Sequence, residues 1–245
     1  MRLAVFSDIH SNLEALEAFI DDALHQMIHH YFCLGDIVGY GANPNQCIQK
    51  LQTLPNLKCV LGNHDYYASK NTTAYDMSLT AARAIIWTKK RLSKENTQFL
   101  KALKPILKTT RISFSHAAPH NPLKWQYIFT SESASRSFFS TRQKIIFNGH
   151  THVPQIITQK NMFKIIFENP DSNTPVSIKK NRIIVNCGSI GQPRDGDPRA
   201  SYVIYDSANE TLEFRRINYD YKITAEKILE ARLPESLAAR LAKGR

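Results

Sequence analysis

Five short apolar runs, each closed by polar or titratable residues, set the rhythm of the first 152 positions of the chain. Leu3–Phe6 leads into Asp8 and His10, Tyr31–Leu34 into Asp36, and Leu57–Leu61 into Gly62-Asn63-His64-Asp65. Ile112–Phe114 leads into His116, and Lys144–Phe147 into His150 and His152. Runs of this length bounded by turn residues read as buried strands. After the first, Ser11-Asn12 caps a helix that keeps Leu13, Leu16, Phe19, Ile20 and Leu24 on one face. After the second, Pro44 or Asn45 opens a helix through Ile48 and Leu51, which Pro55 ends. Two consecutive strand-helix-strand units predict a parallel sheet, and ligands of such sheets bind outside the carboxyl ends of the strands.

Downstream the texture changes. Ser78-Leu79 opens a helix through Ala82, Ile85, Ile86 and Lys89, and Ser93 caps another through Phe99, Leu100 and Leu103. Neither carries ligand-type side chains, so both are expected to pack on a sheet face or to wall a cleft. In the loop Pro122–Tyr127, Trp125 and Tyr127 either stack a nucleobase or anchor the loop to the core. From Gln155 onward the runs Ile156-Ile157, Phe163–Phe167, Ile183–Val185, Tyr202–Tyr205 and Leu212–Phe214 alternate with Asn, Asp, Pro and Gly. They predict a mainly antiparallel second sheet packed on the first. Thr224 caps a last amphipathic helix, interrupted at Pro234 and suited to packing or contact with another subunit. The class expected is α/β (α+β).

A chain of 245 residues, 42% hydrophobic and 22% charged, is long enough for one large core, and no linker-like segment divides it, so residues 1–245 are expected to form one domain. Its apolar stretches fall far short of the ~20 residues that span a bilayer. Cys33, Cys47, Cys59 and Cys187 lack paired or metal-type spacing, which fits a reducing compartment, and a cytoplasmic protein is expected. The net charge of +11 is spread over the chain (Lys89-Lys90-Arg91, Lys179-Lys180) without a dense block. A solvated basic surface therefore ranks ahead of nucleic-acid binding.

Asp8, His10, Asp36, Asn63, His116, His150 and His152 form a set of seven oxygen and nitrogen donors at strand ends, with no sulfur. That is too many for one tetrahedral ion. A pair of ions sharing a carboxylate fits, and the donor set suits Mn²⁺, Fe, Zn²⁺ or Ni²⁺. His25, His29 and His30, by contrast, stand without a carboxylate where basic side chains complement a helix C-terminus.

In order, Asp8-x-His10, Gly35-Asp36-x-x-Gly39, Gly62-Asn63-His64-Asp65, His116 and Gly149-His150-x-His152 resemble the five motif blocks of the calcineurin-like metallophosphoesterases. The closer likeness is to the small YfcE-like phosphodiesterases, whose Gly-Ser-x-Gly-x-Pro-Arg segment Gly188–Arg194 also resembles. The resemblance implies a four-layer α/β/β/α sandwich of two mixed sheets flanked by helices. It also implies two divalent ions, Mn²⁺ first among them. Asp8, His10, Asp36 and His152 would hold one, and Asp36, Asn63, His116 and His150 the other, with Asp36 bridging. His64 would face the scissile phosphate as a catalytic donor. The expected reaction is hydrolysis of a phosphodiester of a small or nucleotide-like substrate, with a metal-bridging hydroxide attacking in line. Alternatives are a nucleotide polyphosphate hydrolase of the diadenosine type, and a non-catalytic protein-binding scaffold on the same fold.

The protein Ser/Thr phosphatases carry Gly-Asp-x-x-Asp-Arg-Gly where this chain has Gly35-Asp36-Ile37-Val38-Gly39-Tyr40-Gly41. Their phosphate-gripping arginine and the partner of their catalytic histidine are missing. Asp65 is a candidate for the second role. Arg194 is a candidate for the first, as a substrate-binding guanidinium, unless it closes a turn salt bridge with Asp195 or Asp197.

Overall fold

The computed structural model describes residues 1–70, 72–74, 76–161 and 164–245. The strands divide between two mixed six-stranded sheets. The first has the order β3 (Leu57–Cys59), β2 (His30–Cys33), β1 (Arg2–Phe6), β11 (Ala200–Asp206), β12 (Thr211–Ile217) and β9 (Val176–Ser177). The second runs β4 (Ile106–Lys108), β5 (Ile112–Ser115), β6 (Ile145–Asn148), β10 (Arg182–Asn186), β7 (Gln155–Gln159) and β8 (Ile165–Glu168). Within them β1, β2 and β3 are mutually parallel, as are β5, β6 and β10.

Strand alternation builds the layers. Ala4 and Phe6 of β1 face the helices α1 (Leu13–Leu24) and α2 (Pro44–Gln52), whose Leu16, Phe19, Ile48 and Leu51 are buried against them. Leu3 and Val5 face the other way, into a core between the sheets that they share with Phe114, Ile145, Phe147 and Val185. Phe32 and Phe114 stack across that core, ring centroids 4.0 Å apart. On the far face of the second sheet, Ala134 and Phe138 of α6 (Ser131–Phe139) cover Ile146, Ile157 and Ile184. The outcome is the expected four-layer sandwich. No helix among the described residues is long and apolar enough to cross a membrane.

The strands after Gln155 do not form a sheet of their own. β7, β8 and β10 join β4, β5 and β6, whereas β9, β11 and β12 extend the first sheet, β11 pairing antiparallel with β1 at Val203↔Val5. Alternation shows that a strand buries one face or both, but it does not name the partner across the ladder. The expected strand Phe163–Phe167 is seen as Ile165–Glu168, and Phe163 itself lies outside the described residues.

Local capping is partly as expected. Asn12 caps α1, accepting from Ala15 N at 3.0 Å, although Leu24 ends the helix exposed. α4 (Leu79–Arg91) and α5 (Lys94–Ala102) are capped by Ser78 and Ser93. α7 (Tyr221–Glu230), however, starts at Asp220, whose carboxylate takes the amides of Lys222 and Ile223. Thr224 is not its cap: the residue is buried one turn in, its hydroxyl 2.8 Å from Glu14 Oε2 and 3.0 Å from Asn12 Oδ1. The chain breaks before Pro234 as expected, and α8 (Glu235–Ala239) follows.

Candidate metal centre

Five strands bring their carboxyl ends to one rim. Asp8 and His10 follow β1, Asp36 follows β2, and Asn63 and His64 follow β3 as the first turn of α3 (Asn63–Ser69). His116 follows β5, and His150 and His152 follow β6. Backbone hydrogen bonds lace the loops together: Asp8 N to Gly35 O at 3.0 Å, His10 N to Asp36 O at 2.9 Å, Gly149 N to His116 O at 2.9 Å. Asp8, His10, Asp36, His150 and His152 all adopt left-handed backbone, with φ of 57°, 50°, 51°, 69° and 62°. Strand alternation is therefore not what aims these residues. The kinks are, at roughly 1–2 kcal/mol each for side chains that have a Cβ.

Two glycines let the loops close on the carboxylates. A Cβ on Gly62 would lie 2.2 Å from Asp36 Oδ1, and one on Gly149 would lie 2.5 Å from Asp8 Oδ2.

The donors meet in two adjoining groups. Asp8, His10 and His152 form one, with Asp8 Oδ1 at 3.1 Å from His152 Nε2 and 3.6 Å from His10 Nε2. Asp36, His116 and His150 form the other, and Asn63 Oδ1 lies 3.0 Å from His116 Nε2. Asp36 Oδ2 stands between them, 3.3 Å from His116 Nε2 and 3.7 Å from His10 Nε2, while Oδ1 is occupied by the amide of His64 at 2.8 Å. A third grouping joins His64 to His10 and Asp36.

Which ring nitrogens are free is decided from behind. His10 Nδ1 faces Val38 O at 3.3 Å, His116 Nδ1 faces Leu34 O at 2.9 Å, His150 Nε2 faces Trp125 O at 2.8 Å, and His152 Nδ1 faces Gln192 O at 2.5 Å. A carbonyl only accepts, so each of these nitrogens carries the proton and donates it. In the neutral ring the opposite nitrogen then turns a lone pair inward. His10 Nε2 meets His152 Nε2 at 3.2 Å, and His116 Nε2 meets His150 Nδ1 at 3.0 Å. Lone pairs facing one another and an unpartnered, buried Asp8 Oδ1 fit a cation between them.

The fields agree. Burial pushes the Asp8 carboxyl up, but His152 and His116, with the ring of His10 close by, outweigh it and hold it well below the usual range. Asp36 is likewise lowered, chiefly by His116 and His64 against its own burial. Burial drives His150 down to about 3, with help from His116, and His152 down to about 4, with help from Arg194. His116 alone goes up, to about 9, because Asp36 and Asp8 override its burial. Before an ion enters, a second proton on His116, at Nε2 beside Asp36, is the local counter-charge to two carboxylates, and this ring frees its inward lone pair only when that proton leaves. Metal loading is expected to expel it at pH 7.5–8. The release should fade as pH rises through about 9. Calorimetry in buffers of different ionisation enthalpy checks this; a pH-independent release would contradict it.

His64 is buried and neutral, its affinity for a proton lowered well below normal chiefly by burial, and its Nδ1 has no partner among the described residues. Its ring packs edge-on to His10, centroids 4.7 Å apart, and against Tyr40 at 4.4 Å. Asp65 does not orient it. The Asp65 carboxylate accepts from the amides of Ile37, Val38 and Gly62, at 2.9, 3.1 and 3.2 Å, and so ties the Asp36 loop to the start of α3. Burial and the neighbouring Asp36 push its own proton affinity up to about 7.

A cavity of about 690 Å³ opens over this cluster, lined by Asp36, Asn63, His64, His150 and His152. Arg194 also lines it and makes no turn salt bridge: Asp195 pairs with Arg216 and Asp197 with Arg199, whereas Arg194 points to Gln192 Oε1 at 3.1 Å and Tyr40 Oη at 3.4 Å. The two aromatics of the loop part ways. Trp125 is buried beside Leu61 and Ala117. Tyr127 is exposed and stacks on His150 at 4.2 Å and on Phe129 at 5.1 Å. Tyr40, Asp76, Lys124 and Arg240 also line the cavity without having been singled out in the sequence. Tyr40 was legible only as the residue standing where the protein phosphatases have arginine.

Residues 1–210 match the calcineurin-like phosphoesterase superfamily domain. The chain is 40% identical to an uncharacterised protein of Methanocaldococcus jannaschii, covering 99% of this chain and 98% of the relative. Its fold is similar to that of a metallophosphoesterase from Sphaerobacter thermophilus, 36% identical, with a TM-score of 0.91 over 100% of this chain and 99% of the other. A hypothetical protein from Pyrococcus horikoshii, 19% identical, shares the fold with a TM-score of 0.82, over 100% and 98% of the two chains.

Proposed function

The chain belongs to the calcineurin-like phosphoesterase superfamily and is a metal-dependent phosphoesterase, and on that footing we propose that it is a two-metal phosphodiesterase of small or nucleotide-like substrates. The observation that carries this is the inward convergence of four histidine lone pairs on two carboxylates, each ring locked from behind by a backbone carbonyl. Asp8, His10, Asp36 and His152 would hold one ion, and Asp36, Asn63, His116 and His150 the other. Mn²⁺ is our first choice, with Fe, Zn²⁺ and Ni²⁺ compatible with the same donors. When bound, two such ions supply positive charge to the phosphoryl oxygens and acidify a water molecule.

The remaining steps belong to side chains. Asp36 shares its free oxygen between the two groups and keeps its other oxygen on the His64 amide, so the bridge and the catalytic histidine move as one unit. His64, neutral and unpartnered at Nδ1, donates the hydrogen bond of its one N–H to the phosphoryl oxygen or the leaving group. Arg194, free of carboxylates, contributes charge from the cavity wall. A nucleotide polyphosphate is the second substrate reading, favoured by the exposed Tyr127–Phe129 stack at the cavity mouth. We place the enzyme in the cytoplasm, where its four free cysteines stay reduced. A nucleic-acid or membrane partner is not part of this proposal.

The test is hydrolysis of bis-p-nitrophenyl phosphate beside p-nitrophenyl phosphate by protein stripped with chelator and reloaded with Mn²⁺. Metal-dependent turnover favouring the diester is expected. Preference for the monoester would make it a phosphomonoesterase, and no turnover with any of the four metals would turn the case toward a scaffold.

A further inference from the structure

The C-terminal segment does more than pack. Leu237 and Ala238 of α8, with Leu241, are buried in one cluster with Tyr40 and with Ala81 and Ala84 of α4. That docking delivers Arg240 to the cavity beside Arg194. Both guanidiniums lie near the Tyr40 ring, Arg194 Cζ at 6.0 Å and Arg240 Cζ at 5.8 Å from its centroid. Both donate to one acceptor, Gln192 Oε1, at 3.1 and 3.2 Å.

Among the described residues neither guanidinium has a carboxylate partner, and Arg194 Nε is buried with no partner at all. Two half-buried like charges sharing a neutral amide oxygen repel each other, and burial together with the charge of Arg194 lowers the proton affinity of Arg240. Such a pair is stabilised when an anion enters between its members.

The pair is also keyed to the metal ligands. Arg194 N donates to His152 O at 3.2 Å, and Gln192 O accepts from His152 Nδ1 at 2.5 Å. The Tyr40 ring neighbours both His64, at 4.4 Å between centroids, and Arg240, whose Cζ is 5.8 Å from it.

We propose that Arg194 and Arg240 form a pocket for a second phosphoryl group, so that the preferred substrates carry two phosphoryl groups, one at the metal centre and one between the guanidiniums. This deepens the phosphoesterase assignment and rests on it. Lys124, on the same cavity wall, adds to the positive field that such a substrate needs.

Two measurements test the pocket. In the first, chelator-stripped protein is titrated calorimetrically with inorganic pyrophosphate. Arg240→Gln is expected to weaken binding about 10–100-fold, the range for one charge-assisted contact, and Arg240→Lys by less, because it keeps the charge and loses the fork. In the second, the metal-loaded enzyme is given p-nitrophenyl thymidine 5′-phosphate with and without a 3′-phosphate. The wild type should favour the doubly phosphorylated ester in kcat/KM at least about 10-fold, and Arg240→Gln should bring the ratio close to one.

Pyrophosphate binding indifferent to Arg240, or equal losses on both esters in a variant that melts like wild type, would overturn the pocket. Failure of the wild type to hydrolyse either ester with any metal would strike the phosphoesterase assignment instead, leaving the pyrophosphate titration to decide the pocket.

Discussion

Asp36→Asn is expected to lose both ions and, with them, turnover by about 10³-fold or more, since bound ions supply several kcal/mol of transition-state stabilisation. The reason is the division of labour in one carboxylate. Oδ1 is held by the His64 amide at 2.8 Å, so an asparagine oxygen is drawn to that place and its NH₂ falls where Oδ2 now faces His116 and His10. Two inward lone pairs would then meet a donor in place of a shared anion. Elemental analysis of the purified variant, together with its kcat, checks this. A metal-replete Asp36→Asn protein with wild-type turnover would sink the assignment of the bridge.

His64→Ala should separate what Asp36→Asn confounds. The His64 side chain has no hydrogen-bond partner at Nδ1, and the group that steadies Asp36 is its backbone amide, which alanine retains. Metal content is expected to stay at the wild-type level while kcat falls about 10²–10⁴-fold, the range for a positioned proton donor. A variant that turns over like wild type would remove His64 from the chemistry. One that loses its metals would make it a ligand, as its grouping with His10 and Asp36 allows.

Much of this site is legible in the sequence because it is written as local punctuation. A polar residue directly after a short apolar run is at the carboxyl end of a strand, and all seven candidate ligands follow that rule. What the sequence does not show is how the residues turn inward. Left-handed backbone at Asp8, His10, Asp36, His150 and His152 is imposed by the neighbouring loops; Asp and His adopt it more readily than most residues, but a preference that weak does not mark these positions in the sequence.

Sheet membership was hidden for a related reason. β10 and β11 have similar apolar patterns, yet one pairs with β6 and the other with β1, a choice made by partners far away in the chain. Asp65 illustrates the limit of motif proximity. It stands next to His64 in sequence but spends both oxygens on backbone amides, which no spacing rule anticipates. Arg240 lies furthest from legibility, since an arginine on an amphipathic C-terminal segment is ordinary until α8 docks on Tyr40.

In the proposed centre one rim of loops holds two ions bridged by Asp36, and turnover needs both. The most direct measurement is a titration of chelator-stripped wild-type protein with Mn²⁺, following bound metal per chain and diesterase rate in the same samples. Binding is expected to saturate at two ions per chain, with the rate reaching its plateau only as the second site fills. Saturation at one ion, or full turnover in the presence of chelator, would contradict it.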